Sequence, residues 1–303
     1  YNTQTTNQIL TIGLPGSSGY TSKHINAGKI KSHGVELMIG GTPIKTKDWQ
    51  WDVNVNWGLN RTSCDYLDNE VSRYTLGSIR IGSAVVNAGG GYGDIVGKAY
   101  KRDAQGRKII DSNGIPESES DKVIGNMLPK WTGSVGTQLR WRDLTFSALV
   151  DVRHGGKFIS NTDNYACQQG TSARTLYGRK SGEQIVVDGV TEDGQVNTKG
   201  VNAETYWTSI AGSDGIAEEF LYSASYIKMR EMSLGYILPA HWFANTPIKY
   251  VKLSLVGRDL FYIHKAAPVN PEGAFSRSDY AQAFELASMP PTRSFGFSLN
   301  VKF

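Results

Sequence analysis

Pro291-Thr292-Arg293-Ser294-Phe295-Gly296-Phe297-Ser298-Leu299-Asn300-Val301-Lys302-Phe303 is the stretch whose reading decides the fold. From Phe295 to Phe303 every odd position is aromatic or aliphatic. From Ser294 to Lys302 every even position is small, polar or charged. Successive side chains of a strand point to opposite faces, so this strand has one apolar and one polar face. Two settings satisfy that pattern. One is a half-buried strand of a soluble sandwich; the other is the closing strand of an outer-membrane barrel, with lipid outside and water inside.

The same alternation recurs upstream. Trp49, Trp51, Val53, Val55, Trp57 and Leu59 share one face; Gln50, Asp52, Asn54, Asn56, Gly58 and Asn60 share the other. Trp131, Gly133, Val135, Thr137, Leu139 and Trp141 repeat it. A tight turn at Trp141-Arg142-Asp143 leads into Leu144, Phe146, Ala148, Val150 and Val152, with Leu149 the exception on the polar face. Shorter runs carry Val35, Leu37 and Ile39, then Met232, Leu234, Tyr236 and Leu238, then Val251, Leu253 and Leu255. Indole rings are amphipathic and suit a membrane interface, so Trp49, Trp51, Trp57, Trp131 and Trp141 are expected at headgroup level.

Bulk composition is compatible with either setting. Apolar residues make up 39% of the 303, and mean hydropathy is -0.34. A barrel whose lumen side is polar has such an average. No run of about eighteen apolar residues occurs, which excludes a helical membrane protein. The net charge of +4 and scattered basic residues do not fit a nucleic-acid binder. The chain opens on Tyr1 without a secretory signal, as expected of a mature exported protein or a piece of a longer one.

Connection lengths separate the two settings. Between the strands they run long, short, long, short, long, short, long. Two of the long ones, about 61–129 and 154–225, show no sustained period, and compact soluble domains rarely hold an unstructured loop beyond about fifteen residues. Outer-membrane barrels have short periplasmic turns and long extracellular loops, which produces this rhythm. The expected fold is therefore all-β: a transmembrane antiparallel β-barrel, with about eight strands here and the last descending to the periplasm. Within the first long loop a hairpin is expected from 95–101 and 108–111, joined through Asp103-Ala104-Gln105-Gly106. A strand is expected at Gln8-Ile9-Leu10-Thr11, and further loops are expected at 14–19 and 42–48. Eight strands alone would enclose a lumen filled by side chains, which needs no loops of this size.

Several stretches resemble the carboxy-terminal part of the SusC/RagA family of TonB-linked outer-membrane transporters. The most specific is Leu221-Tyr222-Ser223-Ala224-Ser225-Tyr226-Ile227-Lys228-Met229-Arg230-Glu231-Met232-Ser233-Leu234-Gly235-Tyr236-Ile237-Leu238-Pro239, which is similar to the pattern "KLRE-SLGY-LP". Leu253-Ser254-Leu255-Val256-Gly257-Arg258-Asp259-Leu260 resembles "LSLVGRNL", with Asp259 in place of the usual Asn. The terminal strand and Asn26-Ala27-Gly28-Lys29-Ile30 with Gly34-Val35-Glu36-Leu37 are further matches.

The resemblance implies that these strands form the final part of a barrel of roughly 22 strands around a plug. It also implies active import of oligosaccharides or peptides, with TonB pulling the plug and a SusD-like surface lipoprotein closing over the lumen. The long loops at 61–129 and 154–225 would then meet substrate and lid. Phe295, Phe297, Leu299, Val301 and Phe303 would form the lipid face and assembly signal of the closing strand. An all-β glycan-binding module, soluble or surface-attached, is the alternative.

No enzymatic constellation stands out, and no cofactor is expected. Gly91-Tyr92-Gly93-Asp94-Ile95-Val96-Gly97 has the wrong spacing for a dinucleotide loop and no Lys-Ser or Lys-Thr after it. His24, His33, His154, His241 and His264 lack metal-ligand spacing. Cys64 and Cys167 both fall in polar, loop-like surroundings and could pair in a disulfide.

Overall fold

The computed structural model describes residues 1–14, 16–26, 28–67 and 71–303. Pro15, within the expected loop at 14–19, and Ala27, within the family-like stretch, lie outside them. So do Asp68, Asn69 and Glu70 in the first long connection.

The apolar/polar alternation becomes a single antiparallel sheet. Its wall strands are β1 (Asn2–Thr6), β2 (Lys29–Lys45), β3 (Trp49–Tyr66), β4 (Trp131–Trp141), β5 (Leu144–His154), β6 (Tyr226–Ile237), β7 (Tyr250–Lys265) and β8 (Ser294–Lys302). Each pairs with the next in chain order, from β1 to β8. Among the described residues these eight strands form an open wall, because β1 and β8 do not pair with each other.

Among the described residues no second protein layer covers the apolar face. Phe295 and Phe297 are each 78% exposed, Leu299 59% and Phe303 75%. Val35, Leu37, Ile39, Trp49, Trp51, Val135, Trp141, Leu234, Leu253 and Leu255 are exposed as well. A soluble sandwich would bury this set against a facing sheet about 10 Å away. The wall is that of a transmembrane barrel. Among the described residues no helix is long and apolar enough to cross a membrane, so the crossing is made by strands.

Connections sort by end. The 45–49, 141–144 and 237–250 connections lie at one end, and those at 6–29, 66–131, 154–226 and 265–294 at the other. The 141–144 turn is two residues wide, with Arg142 in the left-handed region at φ 51. Its amide donates to the Asp48 carbonyl at 2.7 Å, tying adjacent short turns together.

Three sequence expectations change. The loop expected at 42–48 is shorter: β2 runs through Pro43 to Lys45, because a bulge between Gly41 and Ile44 leaves that proline outside the ladder. The strand expected at 8–11 is not part of the wall. Ile9–Gly13 pairs with Ser22–Asn26 in a separate small hairpin, and Asn2–Thr6 takes the wall position.

The 61–129 region is not structureless. β3 continues to Tyr66, and Arg73–Ile79, Gly82–Asn87, Gly90–Tyr100 and Ser118–Asn126 form successive antiparallel pairs. The expected hairpin survives only at its tip. Tyr100 pairs with Ser118, whereas the Ile109 amide donates to the Lys101 carbonyl at 2.9 Å. These strands escaped a period-based reading because register shifts interrupt three of their pairings, and each bulge reverses the apparent parity.

Candidate functional site

The connections at 66–131, 154–226 and 265–294 do not splay outward; they pack into one unit at their end of the wall. Lys157–Ser160 leads directly into helix α1 (Asn161–Gln168), and Ala203–Ile210 forms helix α2. Ser160 caps α1 by accepting from the Asp163 amide at 3.1 Å. Asn202 caps α2 by accepting from the Thr205 amide at 2.7 Å. Lys157–Ser160 lies between Leu221–Ser223, antiparallel, and Phe284–Glu285, parallel. Ile95, Ile110, Ile159, Ile210, Phe220 and Phe284 are among the fully buried side chains of its core. Close approach needs glycine: a Cβ on Gly97 would sit 2.5 Å from the Ala217 Cβ, and one on Gly82 would sit 2.3 Å from Ile159 Cδ1.

Arg174 ties this unit together. It pairs with Asp163 at 2.7 Å and with Glu219, and its guanidinium carbon lies 5.2 Å from the Trp207 ring centre. The Tyr222 hydroxyl donates to Asp163 at 2.6 Å, and the Tyr100 hydroxyl to Glu219 at 2.6 Å. Burial together with these carboxylates raises both phenols above their ordinary range. A cleft of about 580 Å³ opens beside α2, with Gln168, Gln169, Arg179, Asn202, Glu204 and Trp207 in its lining. These amides, a guanidinium, a carboxylate and an indole can hydrogen-bond and stack against a polar ligand. Among the described residues there is no metal-holding cluster of His, Cys, Asp and Glu.

Cys64 and Cys167 are both buried and both free, so the two do not form a disulfide. Cys64 packs with Leu67 and Val86 near the top of β3, and Cys167 sits in α1. Burial, then the Asp163 charge, pushes the Cys167 thiol up to about 11, away from thiolate chemistry.

A second polar cluster joins the wall to the 265–294 connection. Lys228, Arg230, Asp151 and Asp259 come from β5, β6 and β7, and Glu272 comes from the connection. Lys228 Nζ lies 2.8 Å from Asp259 and 2.7 Å from Glu272, and Arg230 bridges Asp151, Asp259 and Glu272. The Tyr262 hydroxyl is 2.8 Å from Glu272. Burial pushes the Glu272 carboxyl up, but hydrogen bonds from Arg230, Lys228 and Tyr262 outweigh it and hold the group at about 2. Bulges assemble this cluster: Arg230 is the extra residue between Met229 and Glu231 opposite β5. Asp259 adopts φ 51, the left-handed region that Asn and Asp tolerate best among non-glycine residues. That geometry accounts for an Asn or Asp at this point of the family pattern.

The five terminal-strand positions occupy one register face: Val251 pairs with Val301, Leu253 with Leu299, Leu255 with Phe297 and Gly257 with Phe295. Phe303 follows the end of β8. Of the tryptophans, Trp49 and Trp141 meet across β3 and β4 with ring centres 5.7 Å apart, at the short-turn end. Trp131 stacks on His154 at 5.3 Å near the other end. Trp51 donates to Thr137 Oγ1 at 2.8 Å, which satisfies its indole within the apolar face. Trp57 stands opposite Gly133 and is partly buried. Trp131 and Trp141 are ten residues apart on β4. At about 3.4 Å per residue and a tilt near 40°, they are separated by about 25 Å across the wall, the height of an outer-membrane apolar band.

Residues 1–186 match the family model described as "TonB dependent receptor-like, beta-barrel". The chain belongs to the TonB-dependent receptor β-barrel family. It is an outer-membrane β-barrel protein, and its family is one of receptors and transporters, not enzymes. TonB-dependent receptor P3 of Formosa agariphila is 21% identical over 332 residues, covering 100% of this chain and 32% of that protein. TonB-dependent receptor SusC of Bacteroides thetaiotaomicron is 22% identical over 271 residues, covering 81% of this chain and 24% of that receptor. Among solved structures, the RagAB peptide importer in its closed-closed state superposes with a TM-score of 0.69 at 20% identity, over 98% of this chain and 32% of that one. This receptor barrel chain thus spans about a third of the length of relatives that it matches end to end.

Proposed function

We propose that this chain supplies part of the wall and the extracellular loops of a TonB-dependent importer of oligosaccharides or peptides. A SusD-like lipoprotein caps it, and TonB acts through a plug that further strands of the complete barrel enclose. The observation that carries this reading is the gathering of every long connection at one end of an uncovered apolar wall, where those at 66–131, 154–226 and 265–294 form a packed unit with a polar cleft. Regions 61–129 and 154–225 are the elements of that unit that meet substrate and lid. Trp49, Trp51, Trp57, Trp131 and Trp141 are the interface aromatics, and the odd positions of β8 with Phe303 are the assembly face.

Uptake of labelled oligosaccharides and labelled peptides by cells producing the intact protein tests this. Accumulation of one class is expected to stop when the inner-membrane proton gradient is collapsed. Uptake that continues without the gradient would contradict energised import. Co-purification of a surface lipoprotein is expected to be lost when the 154–226 connection is replaced by a short linker.

A further inference from the structure

Just above the apolar face, the long-connection end of the wall turns basic. Val35 pairs with Leu59; one step further along the same face, His33 pairs with Arg61 and with Asn2. The next row on that face is Gln4, Lys31 and Ser63. Positions i and i+2 of a strand share a face, so these rows continue the apolar surface toward the membrane edge by about 7 Å per row. Asn2, Gln4, Lys31, His33 and Ser63 line an open hollow of about 340 Å³.

The charges there do not cancel. Asp65 lies 2.6 Å from Lys31 and 3.7 Å from Lys29. Arg61 donates through Nη1 to the carbonyls of Asn60 and Lys130, and among the described residues no carboxylate pairs with it. Lys29 and Lys31 thus share one carboxylate, and Arg61 adds a third positive charge beside them on the same strand face. A guanidinium bound only to carbonyl oxygens, level with lipid headgroups, is a ready partner for a phosphate.

We propose that this rim is a binding site for the phosphate of a lipid headgroup, in the leaflet that meets the long-connection end. Arg61 and Lys31 hold the phosphate, and Asn2, Gln4 and His33 offer hydrogen bonds around it. Two observations favour a membrane lipid as occupant: the basic rows are continuous with the lipid face, and their charge complements an anionic headgroup.

Native mass spectrometry of the intact protein in detergent, with phosphatidic acid or phosphatidylcholine added, tests the site. The unaltered protein is expected to retain phosphatidic acid in preference to phosphatidylcholine. Combining Arg61→Gln with Lys31→Gln lowers that retention roughly thirtyfold, two basic residues' worth of attraction to an anionic surface. Arg61→Lys keeps most of it, and Lys122→Gln, on the exposed 118–126 strand, leaves it unchanged. Equal retention of both lipids by the unaltered protein, or undiminished phosphatidic acid on the double variant, would overturn the proposal.

Discussion

Phe297→Arg is expected to remove most of the folded protein from the outer membrane, while Ser298→Arg, one residue away, leaves its level nearly unchanged. Phe297 is 78% exposed on the apolar face, beside Leu255 in the β7–β8 ladder. An arginine near the middle of the lipid face costs about 2–4 kcal/mol. Ser298 lies opposite Ser254 on the other face, where a charge is solvated by the lumen. The contrast is sharp because adjacent residues share propensity, strand and depth; only the solvent differs. Heat-modifiable mobility on gels, with quantitation in the outer-membrane fraction, measures it. Equal loss for both variants would mean that the faces are not distinguished by lipid.

Glu272→Ala is expected to free the 265–294 connection from the wall. The carboxylate accepts from Lys228 at 2.7 Å and Tyr262 at 2.8 Å and pairs with Arg230. The Lys228 side chain is only 4% exposed, so losing a carboxylate leaves a buried ammonium with Asp259 as its remaining carboxylate partner. Breaking a fully buried pair costs roughly 3–5 kcal/mol. Glu272 is partly solvated, which reduces the expected cost to roughly 2 kcal/mol. Hydrogen exchange at amides in 266–285 is then expected to accelerate about thirtyfold, with Glu272→Gln intermediate. The pH dependence has a fixed sign. The folded-state carboxyl, held at about 2, lies below its ordinary value near 4.5. Its stabilising contribution is therefore complete above the ordinary value and is lost as pH falls from about 4.5 through about 2. Exchange in this segment that ignores both the substitution and the acid range would show that Glu272 does not hold it.

The wall was legible because its faces follow a two-residue period, which survives from Trp49 to Leu59, from Trp131 to Trp141 and, Leu149 apart, from Leu144 to Val152. The count of about eight strands came from those faces and from the rhythm of turns. What the period could not show lies where it breaks. The extra residue at Arg230 and the left-handed Asp259 shift the register of β6 and β7, so Lys228 stands beside Asp151 on the polar face while Met232 and Leu234, also even-numbered, stay on the apolar one. That cluster draws on four separate segments, around 151, 228–230, 259 and 272, and no local pattern announces such a meeting. The sole hint was Asp259 within a strand pattern, where an Asn or Asp marks a backbone turn to positive φ. The outer unit was hidden for a related reason: Ile185–Val186, Gly200–Val201 and Phe284–Glu285 are two-residue strands paired across the sequence, too short to show a period.

The most direct test is a nitroxide scan along β7 and β8 in the intact protein reconstituted into liposomes, with Cys64 and Cys167 first replaced by serine. Labels at 253, 255, 297 and 299 are expected to be relaxed by oxygen, which concentrates in hydrocarbon. Labels at 252, 254, 298 and 300 should respond to a water-soluble nickel chelate. A two-residue oscillation of opposite phase for the two reagents is the predicted result. Labels at the odd positions that respond to neither reagent would place those side chains against protein, and the membrane wall would be contradicted.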